Sequence, residues 1–180
     1  MDMLLSLAAL AVLSPVLVAT AAAIALESGR PVLFRQARLG LAGREFPMLK
    51  FRSMVKDAAS IGPWHTASDD PRITRVGRFI RRTSIDELPQ LLNVFTGDMS
   101  LVGPRPDVPA QRSLYSEADW ALRCSVRPGI TGLSQALLRS DATPEQRLAL
   151  DLRYAREHSL WLDLKIVAWT LGRLTGRGSN

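Results

Sequence analysis

At 180 residues, the chain is long enough to form one domain with its own hydrophobic core. Its net charge of +6 and pI near 10.4 indicate an anionic partner: a phosphate, a nucleic acid or an anionic lipid surface. A single cysteine, Cys124, excludes an internal disulfide and a cysteine-rich zinc site. The two histidines, His65 and His158, are far apart in the sequence, which argues against a histidine metal cluster.

The first element is an apolar run over residues 3–26 that contains no charged residue. As a helix it would be about 36 Å long, enough to cross a hydrocarbon core of about 30 Å. Ser14 and Pro15 lie at its centre, where the proline removes one helical hydrogen bond and the serine hydroxyl can satisfy the freed carbonyl. A break there would leave halves of about 18 Å, too short to span, so the segment would dip into the membrane and return.

Two other interpretations of this run stay open. A signal peptide fits the alanines at 21–23, although the preceding residues include Asp2 and no lysine or arginine. A spanning helix with a proline kink is also allowed. In either membrane interpretation, the arginines that follow place the next domain in the cytoplasm: Arg30, Arg35, Arg38 and Arg44.

Residues 32–36 and 46–51 have the composition of two short strands, joined through a glycine-containing turn at 40–43. The surrounding region, residues 30–56, contains seven basic residues and one acid, Glu45. Directly after a membrane segment, such charge favours anionic headgroups. A generic basic surface explains it equally well.

Adjacent carboxylates, Asp86 and Glu87, lie between an arginine-rich segment and an apolar run. Ser84 followed by Glu87 is a capping-box pattern that predicts a helix start at Ser84, and Pro89 also fits a first helical turn. The helix N-terminus would keep Asp86 ionised, as a nucleophile or a metal ligand requires. Spacing alone favours a simple helix cap, with the arginines as a solvated face.

Pro104 and Pro106 hold Arg105 on a rigid, extended backbone. Residues 111–124 are predicted to form a helix that groups Leu114, Ala118, Ala121 and Leu122 on one face. A Gly/Pro-rich loop follows, and Arg139 lies beyond it. A charged helix is predicted over residues 144–158. An apolar helix over 159–174, with Trp161 and Trp169, suits the membrane interface.

Several segments together resemble the bacterial sugar transferase family, the small monotopic phosphoglycosyl transferases. They cover nearly the whole chain and read PVLFRQARLG, LKFRSM, DPRITRVGRFIRRTSIDELPQLLNVFTGDMSLVGPRP, RPGITGLSQ and SLWLDLKI. The 37-residue central match is highly specific. Where members of the family read TGWAQVNGR, residues 131–139 of this chain read TGLSQALLR.

The resemblance implies transfer of a sugar-1-phosphate from a UDP-sugar to polyprenol (undecaprenyl) phosphate, with Mg²⁺ and a covalent phosphosugar–aspartate intermediate. It assigns Asp86 as the nucleophile and Glu87 as its partner in holding Mg²⁺. The remaining assignments are phosphate contacts at Arg81 and Arg139, the nucleotide end at Pro104, Arg105 and Pro106, and the break of a re-entrant membrane helix at Ser14 and Pro15.

The expected fold is therefore α/β and mostly α, with two parts. Residues 1–28 form a re-entrant helix-break-helix. Residues 29–180 form a small catalytic domain with a short β-hairpin and interfacial amphipathic helices, on the cytoplasmic face of the bacterial inner membrane. A homodimer through the cytoplasmic domain is compatible with this arrangement. The expected product initiates bacterial glycoconjugate assembly: an exopolysaccharide, an O-antigen or a glycoprotein.

Two other functions compete with this interpretation. A catalytically silent membrane scaffold of the same fold would not need both Asp86 and Glu87, because packing does not require two adjacent acids there. A nucleic-acid-binding protein would interleave aromatic residues with the basic ones and would leave both apolar segments unexplained. We therefore expect an enzyme, and no nucleic-acid partner.

Overall fold

The computed structural model describes residues 1–61, 70–138 and 142–174. Within these ranges, short helices surround two small sheets, one antiparallel and one parallel. In chain order, the elements are α1 (Asp2–Ser28), β1 (Leu33–Leu39), β2 (Glu45–Phe51), α2 (Ala58–Ile61), α3 (Arg75–Arg82), α4 (Gln90–Thr96), β3 (Ser100–Val102), α5 (Glu117–Arg123), β4 (Gly129–Thr131), α6 (Leu133–Leu137), α7 (Pro144–Glu157) and α8 (Leu160–Leu174).

The predicted hairpin is confirmed. β1 and β2 pair antiparallel over their full seven residues, with Leu33 opposite Phe51 and Leu39 opposite Glu45. Alternate residues of β2, Phe46 and Met48, point into the core, as the two-residue period of a strand requires. Lys50 continues this spacing and, as described below, reaches the candidate active site.

The apolar N-terminal segment forms one helix, α1, rather than the predicted helix-break-helix. Its 27 residues make it about 40 Å long, with Pro15 inside. The carbonyl that Pro15 leaves without a partner is that of Ala11, and the Ser14 hydroxyl donates to it at 2.8 Å. This side-chain bond replaces the missing backbone bond, so the helix continues through the proline.

Both ends of α1 are bound to the rest of the domain. Near its start, the Asp2 carboxylate accepts hydrogen bonds from the Ser100 hydroxyl and from the backbone N–H of Leu101. At its end, Glu27 accepts from the first two backbone N–H groups of α3, at 2.8 and 3.0 Å. Buried Arg52 donates to the carbonyls of Ser28 and Gly29, the negative end of the α1 dipole. By length and composition α1 can cross a membrane, yet its two ends meet the same domain.

Among the described residues, three clusters of buried side chains form the core and link these elements. One joins α1 to the hairpin and α3 through Ile24, Phe51 and Ile80. The other two contain Phe46, Met48, Val94 and Met99, and Val102, Leu133, Ala136, Tyr154 and Ile166. Since each cluster draws on elements distant in sequence, no single segment folds around its own core.

The prediction of one helix over residues 111–124 is wrong. The chain forms a 3₁₀ helix at Pro109–Leu114, leaves helical geometry at Tyr115, and begins α5 with Ser116 as its N-cap. Leu114, predicted on the apolar face, is 72% exposed. Sequence analysis also missed the parallel pairing of β3 with β4, because both strands have three residues and pair at long range.

The two C-terminal helices are confirmed as α7 and α8. Thr143 and Gln146 form a capping box at the start of α7. In α8, Ile166 is fully buried, whereas Trp161 is 66% exposed and Trp169 is 41% exposed. One side of α8 therefore packs on the domain, and its aromatic side faces outward.

We expect Glu27→Ala to lower the free energy of unfolding by about 1 kcal/mol, because it removes the acceptor of two α3 N–H groups. Chemical denaturation of the detergent-solubilised protein measures the change. Glu157→Ala is the matched control, since Glu157 is exposed and pairs with the equally exposed Arg153. An equal effect of both substitutions would contradict the role of Glu27.

Candidate active site

The adjacent acids lie in a tight turn before α4. Ser84 has a left-handed backbone (φ 57°), and Ile85–Glu87 then form one 3₁₀ turn. The predicted capping box is wrong: the Ser84 side chain makes no capping bond, and Glu87 is engaged elsewhere. Because α4 begins only at Gln90, the acids precede it instead of occupying its first turn. A non-glycine residue in this conformation is strained, a feature that concentrates at functional sites.

Glu87 binds two cations through one oxygen. Its Oε1 atom accepts from Lys50 Nζ at 2.7 Å and from Arg105 Nη2 at 2.8 Å. Burial alone would raise the pKa of this carboxyl, but Arg105 and Lys50 outweigh burial and lower the pKa to about 2. Glu87 is therefore an anion held in one position.

Asp86 is in a different state. Its carboxylate forms no ion pair with any described residue, and burial, together with the neighbouring Glu87, raises its pKa. Lys50 and Arg81 act in the opposite direction. The expectation that a helix terminus would keep Asp86 ionised therefore overlooked burial. Asp86 is an unpaired carboxylate in a cationic setting, as an attacking group requires.

Arg81 reaches this site because α3 lies very close to the chain after β2. A Cβ atom on Gly77 would stand 1.9 Å from the Ser53 carbonyl oxygen, so only glycine allows this approach. One turn later, Arg81 Nε donates to the Ser53 hydroxyl at 2.8 Å. This bond leaves the outer nitrogens of the guanidinium for an anionic ligand.

Buried Asn93 fixes α4 against strand β2. Its Oδ1 accepts from the Leu49 N–H, and its Nδ2 donates to the Pro47 carbonyl, both at 2.9 Å. The side chain thereby acts as a strand partner for β2. This contact sets the position of Lys50 relative to the turn that carries the acids.

The segment from Pro104 to Asp107 is held through its carbonyl groups. The two prolines lack N–H groups, but all four carbonyls accept hydrogen bonds. Gly129 N donates to the Pro104 carbonyl (3.0 Å), and Arg123 Nη2 donates to the Arg105 carbonyl (2.7 Å). Arg38 Nη1 donates to the Pro106 carbonyl (2.8 Å), and Leu39 N donates to the Asp107 carbonyl (2.9 Å). Both prolines are buried, whereas the Arg105 side chain is 44% exposed. The predicted rigid frame for this arginine is thus observed.

A cavity of about 760 Å³ opens beside Arg105. This is within the size range of small-molecule sites. Its lining includes Tyr115 and Gln111, the apolar Leu138 and Leu148, and four arginines: Arg38, Arg105, Arg123 and Arg147. An anionic ligand with a planar, partly apolar group suits such a lining.

The acids also fit Mg²⁺, which proteins bind through one or two carboxylates together with substrate phosphates. Both bonds of Glu87 use Oε1, which leaves Oε2 for a metal beside Asp86. In the described ranges, no three acidic, cysteine or histidine side chains gather into a larger metal site. Arg139, the other predicted phosphate contact, lies outside the described residues.

Comparison with known proteins identifies the family to which this constellation belongs. The family described as bacterial sugar transferase matches residues 1–177. The chain belongs to the bacterial sugar transferase family.

Three relatives show the breadth of the match to this family. The UDP-glucose:undecaprenyl-phosphate glucose-1-phosphate transferase of Caulobacter vibrioides is 48% identical, over 91% of this chain and 64% of the relative. The undecaprenyl-phosphate glucose phosphotransferase of Komagataeibacter xylinus is 46% identical, over 96% of this chain and 34% of the relative. The uncharacterised sugar transferase EpsL of Bacillus subtilis is 44% identical, over 89% of this chain and 78% of the relative. The chain thus spans about a third of the Komagataeibacter protein and less than two thirds of the Caulobacter protein.

Sequence analysis missed three cations of this sugar transferase site: Lys50, Arg38 and Arg123. Lys50 and Arg38 lie in segments that resemble the family, but nothing local distinguishes them from the other basic residues. Their roles come from contacts with Glu87 and the Pro104–Asp107 segment, 37 and 68 residues away. A signal for Lys50 was that it is one of only three lysines.

For the metal-free protein in EDTA, we expect the stabilisation from Glu87 to depend on pH. Its pKa is lowered from 4.5 to about 2, so the contribution is complete above about pH 4.5 and is lost as pH falls towards 2. Glu87→Gln should cost on the order of 3 kcal/mol at pH 7 and progressively less at lower pH. Urea denaturation at several pH values checks this.

The exposed Glu157 is the control for this measurement, and Glu157→Gln should change stability by less than about 1 kcal/mol at every pH. A penalty for Glu87→Gln that does not vary with pH would rule out the depressed pKa.

Proposed function

We propose that this sugar transferase moves a sugar-1-phosphate from a UDP-sugar to polyprenol (undecaprenyl) phosphate. The observation that carries the proposal is the asymmetry of the acids: Glu87 is pinned by Lys50 and Arg105, whereas Asp86 has no ion pair among the described residues. The relatives support this reaction class, as several are named UDP-glucose:undecaprenyl-phosphate glucose-1-phosphate transferases. A relative in Aeromonas hydrophila is named for N-acetylgalactosamine, so the family match leaves the sugar open.

Asp86 performs the first chemical step. One of its oxygens attacks the phosphorus that bears the sugar, a new O–P bond forms, and the bond to the departing UMP breaks. The polyprenol phosphate oxygen then attacks the same phosphorus and releases the Asp86 carboxylate. Dividing the transfer in two lets UMP leave before the lipid phosphate enters.

The surrounding cations make attack on a diphosphate feasible. A carboxylate approaching phosphate oxygens meets a strong negative charge, which positioned cations neutralise. Arg81 and Arg105 serve here, and Lys50 adds charge next to both acids. Mg²⁺ held by Asp86 and Glu87 would neutralise further phosphate charge.

The nucleotide occupies the cavity beside Arg105. A UDP moiety combines a planar base with two phosphates, which matches the aromatic and arginine-rich lining. Arg105 lies at the junction between this cavity and Glu87. Its frame thereby aligns the donor with the attacking carboxylate.

The acceptor requires the site to lie at a membrane surface, because a polyprenol chain stays in the bilayer. α1 and α8 both contact β3 and present exposed apolar side chains. The exposed set on α1 is Met3, Leu4, Leu5, Leu7, Val12, Val16, Val18 and Leu26, and on α8 it is Leu160, Trp161, Leu164, Val167, Trp169 and Leu171. These helices bind the inner membrane from its cytoplasmic face, with the tryptophans of α8 at the interface.

α1 enters and leaves through the same leaflet. Its start is bonded to Ser100 and Leu101, and its end to α3, so both ends stay with the catalytic domain. A straight α1 would hold these ends about 40 Å apart in any orientation, so it could span the membrane or lie flat on it, but could not dip in and return. The re-entrant topology therefore requires a bend, and Pro15 is where α1 can bend while the Ser14 hydroxyl keeps the Ala11 carbonyl bonded.

Incubation with Mg²⁺ and a panel of UDP-sugars, without lipid acceptor, tests the chemistry. We expect intact mass spectrometry to show a sugar-phosphate adduct with at least one donor. Asp86→Asn should abolish it and slow the complete transfer by roughly 1,000-fold or more. Asp119→Asn, at a partly exposed acid of α5, is the matched control and should keep the adduct. If no donor labels the wild type, the chain is better explained as a silent scaffold.

Cysteine labelling tests the topology of α1. Met3→Cys and Arg30→Cys place thiols near its two ends, while the native Cys124 is buried. An impermeant maleimide should label both variants in inverted membrane vesicles and neither in intact spheroplasts. Labelling of one position from each side would establish a spanning helix and overturn the re-entrant arrangement.

A further inference from the structure

Behind Arg105, in the wall of the cavity, lies a buried charge cluster that takes no part in the proposed chemical steps. Arg123, the last residue of α5, is 6% exposed and lies between two buried acids, Asp107 and Asp151. Its Nη1 pairs with Asp107, and its Nη2 and Nε donate to Asp151 Oδ2 at 2.9 and 3.2 Å. The Ser134 hydroxyl donates to the other Asp151 oxygen at 2.6 Å. One cation thus joins α5, α6 and α7 beneath the cavity.

Asp107 belongs to the segment that carries Arg105, and one further hydrogen bond connects this cluster to Arg105 itself. Nη2 of Arg123 also donates to the backbone carbonyl of Arg105 at 2.7 Å, and the Arg105 side chain binds Glu87. Since Pro104 and Pro106 have no N–H groups, the segment is held by its carbonyl contacts and by the ion pair of the Asp107 side chain. Of the four donors to these carbonyls, Arg123 is the one that acts on Arg105 itself.

We infer that Arg123 is a positioning residue that holds the Arg105 backbone so that its guanidinium meets both Glu87 and the donor nucleotide. The planar fork of arginine is needed, since the same group contacts two carboxylates and one carbonyl in different directions. A lysine at this position keeps the charge but offers one compact ammonium. It would pair with the acids and release the Arg105 carbonyl.

Arg123→Lys is therefore the test, because it avoids leaving two buried acids without a cation. Hydrogen exchange reads the position of the segment directly. The N–H of Leu39 donates to Asp107 and that of Gly129 donates to Pro104, so both should exchange at least 10-fold faster in Arg123→Lys. The Trp120 amide, bonded within α5, should be unchanged and shows that the helix is intact.

Steady-state kinetics measure the effect on sugar-phosphate transfer, an expectation that rests on the proposed function. We expect kcat/KM for the UDP-sugar to fall roughly 10- to 100-fold in Arg123→Lys, mainly through a higher KM. Arg105→Lys should have a similar effect, and the double variant should be no worse than the more impaired single variant. Arg153→Lys, at an exposed position of α7, should match the wild type.

The outcomes distinguish the positioning role of Arg123 from the proposed transferase function. Unchanged exchange at Leu39 and Gly129 overturns the positioning role, even in an active enzyme. Faster exchange in a chain that transfers no sugar phosphate supports positioning and refutes the proposed function. If the penalties of Arg123→Lys and Arg105→Lys multiply in the double variant, Arg123 acts independently of Arg105 and the inference fails.

A triple variant that removes all three charges, Arg123→Met with Asp107→Asn and Asp151→Asn, gives the same exchange test should the lysine variant not fold.

Discussion

The Glu87 carboxylate joins three parts of the chain that have no local reason to meet. Lys50 comes from a strand 37 residues earlier, and Arg105 comes from a proline-flanked segment 18 residues later. A partly buried anion needs such partners, and both cations use the same oxygen. Most of the surrounding structure serves this contact: Asn93 holds the strand, and four donors hold the proline segment. The ion pairs that neutralise Glu87 thereby also place the cations beside Asp86.

Neighbouring acids in one tight turn acquire opposite properties because their surroundings differ. Glu87 is an anion held by two cations, and its pKa is lowered. Asp86 is desolvated, forms no ion pair among the described residues, and has a raised pKa. In the proposed reaction the phosphosugar on Asp86 meets a polyprenol phosphate, so the site has to be kept at the bilayer surface. Bonds at Asp2 and Glu27 anchor both ends of α1 to the same domain, so the long apolar helix and the acidic pair belong to one folded unit.

Elements with a strong local signal were predictable from sequence. The hairpin β1–β2 follows from two short strand-like runs joined by a glycine-containing turn, and α7 from the charged helical segment that begins at Pro144. Predictions failed where one local signal opposed another. The Ser14 hydroxyl lets α1 continue through Pro15, and the 3₁₀ helix before Tyr115 replaces part of a predicted α-helix. The pairing of β3 with β4 escaped notice because three-residue strands carry almost no periodicity.

By itself, the sequence determined the family, the acidic pair Asp86 and Glu87, and the rigid frame of Arg105, because each depends on residues that are consecutive in the chain. Only the tertiary structure decided which of many basic residues serve the site. Lys50 and Arg123 resemble the other basic residues of the chain until folding places one against Glu87 and the other against the Arg105 carbonyl. The pKa values of the acids were decided there as well, since they depend on burial and on charges from distant segments, which no local pattern records.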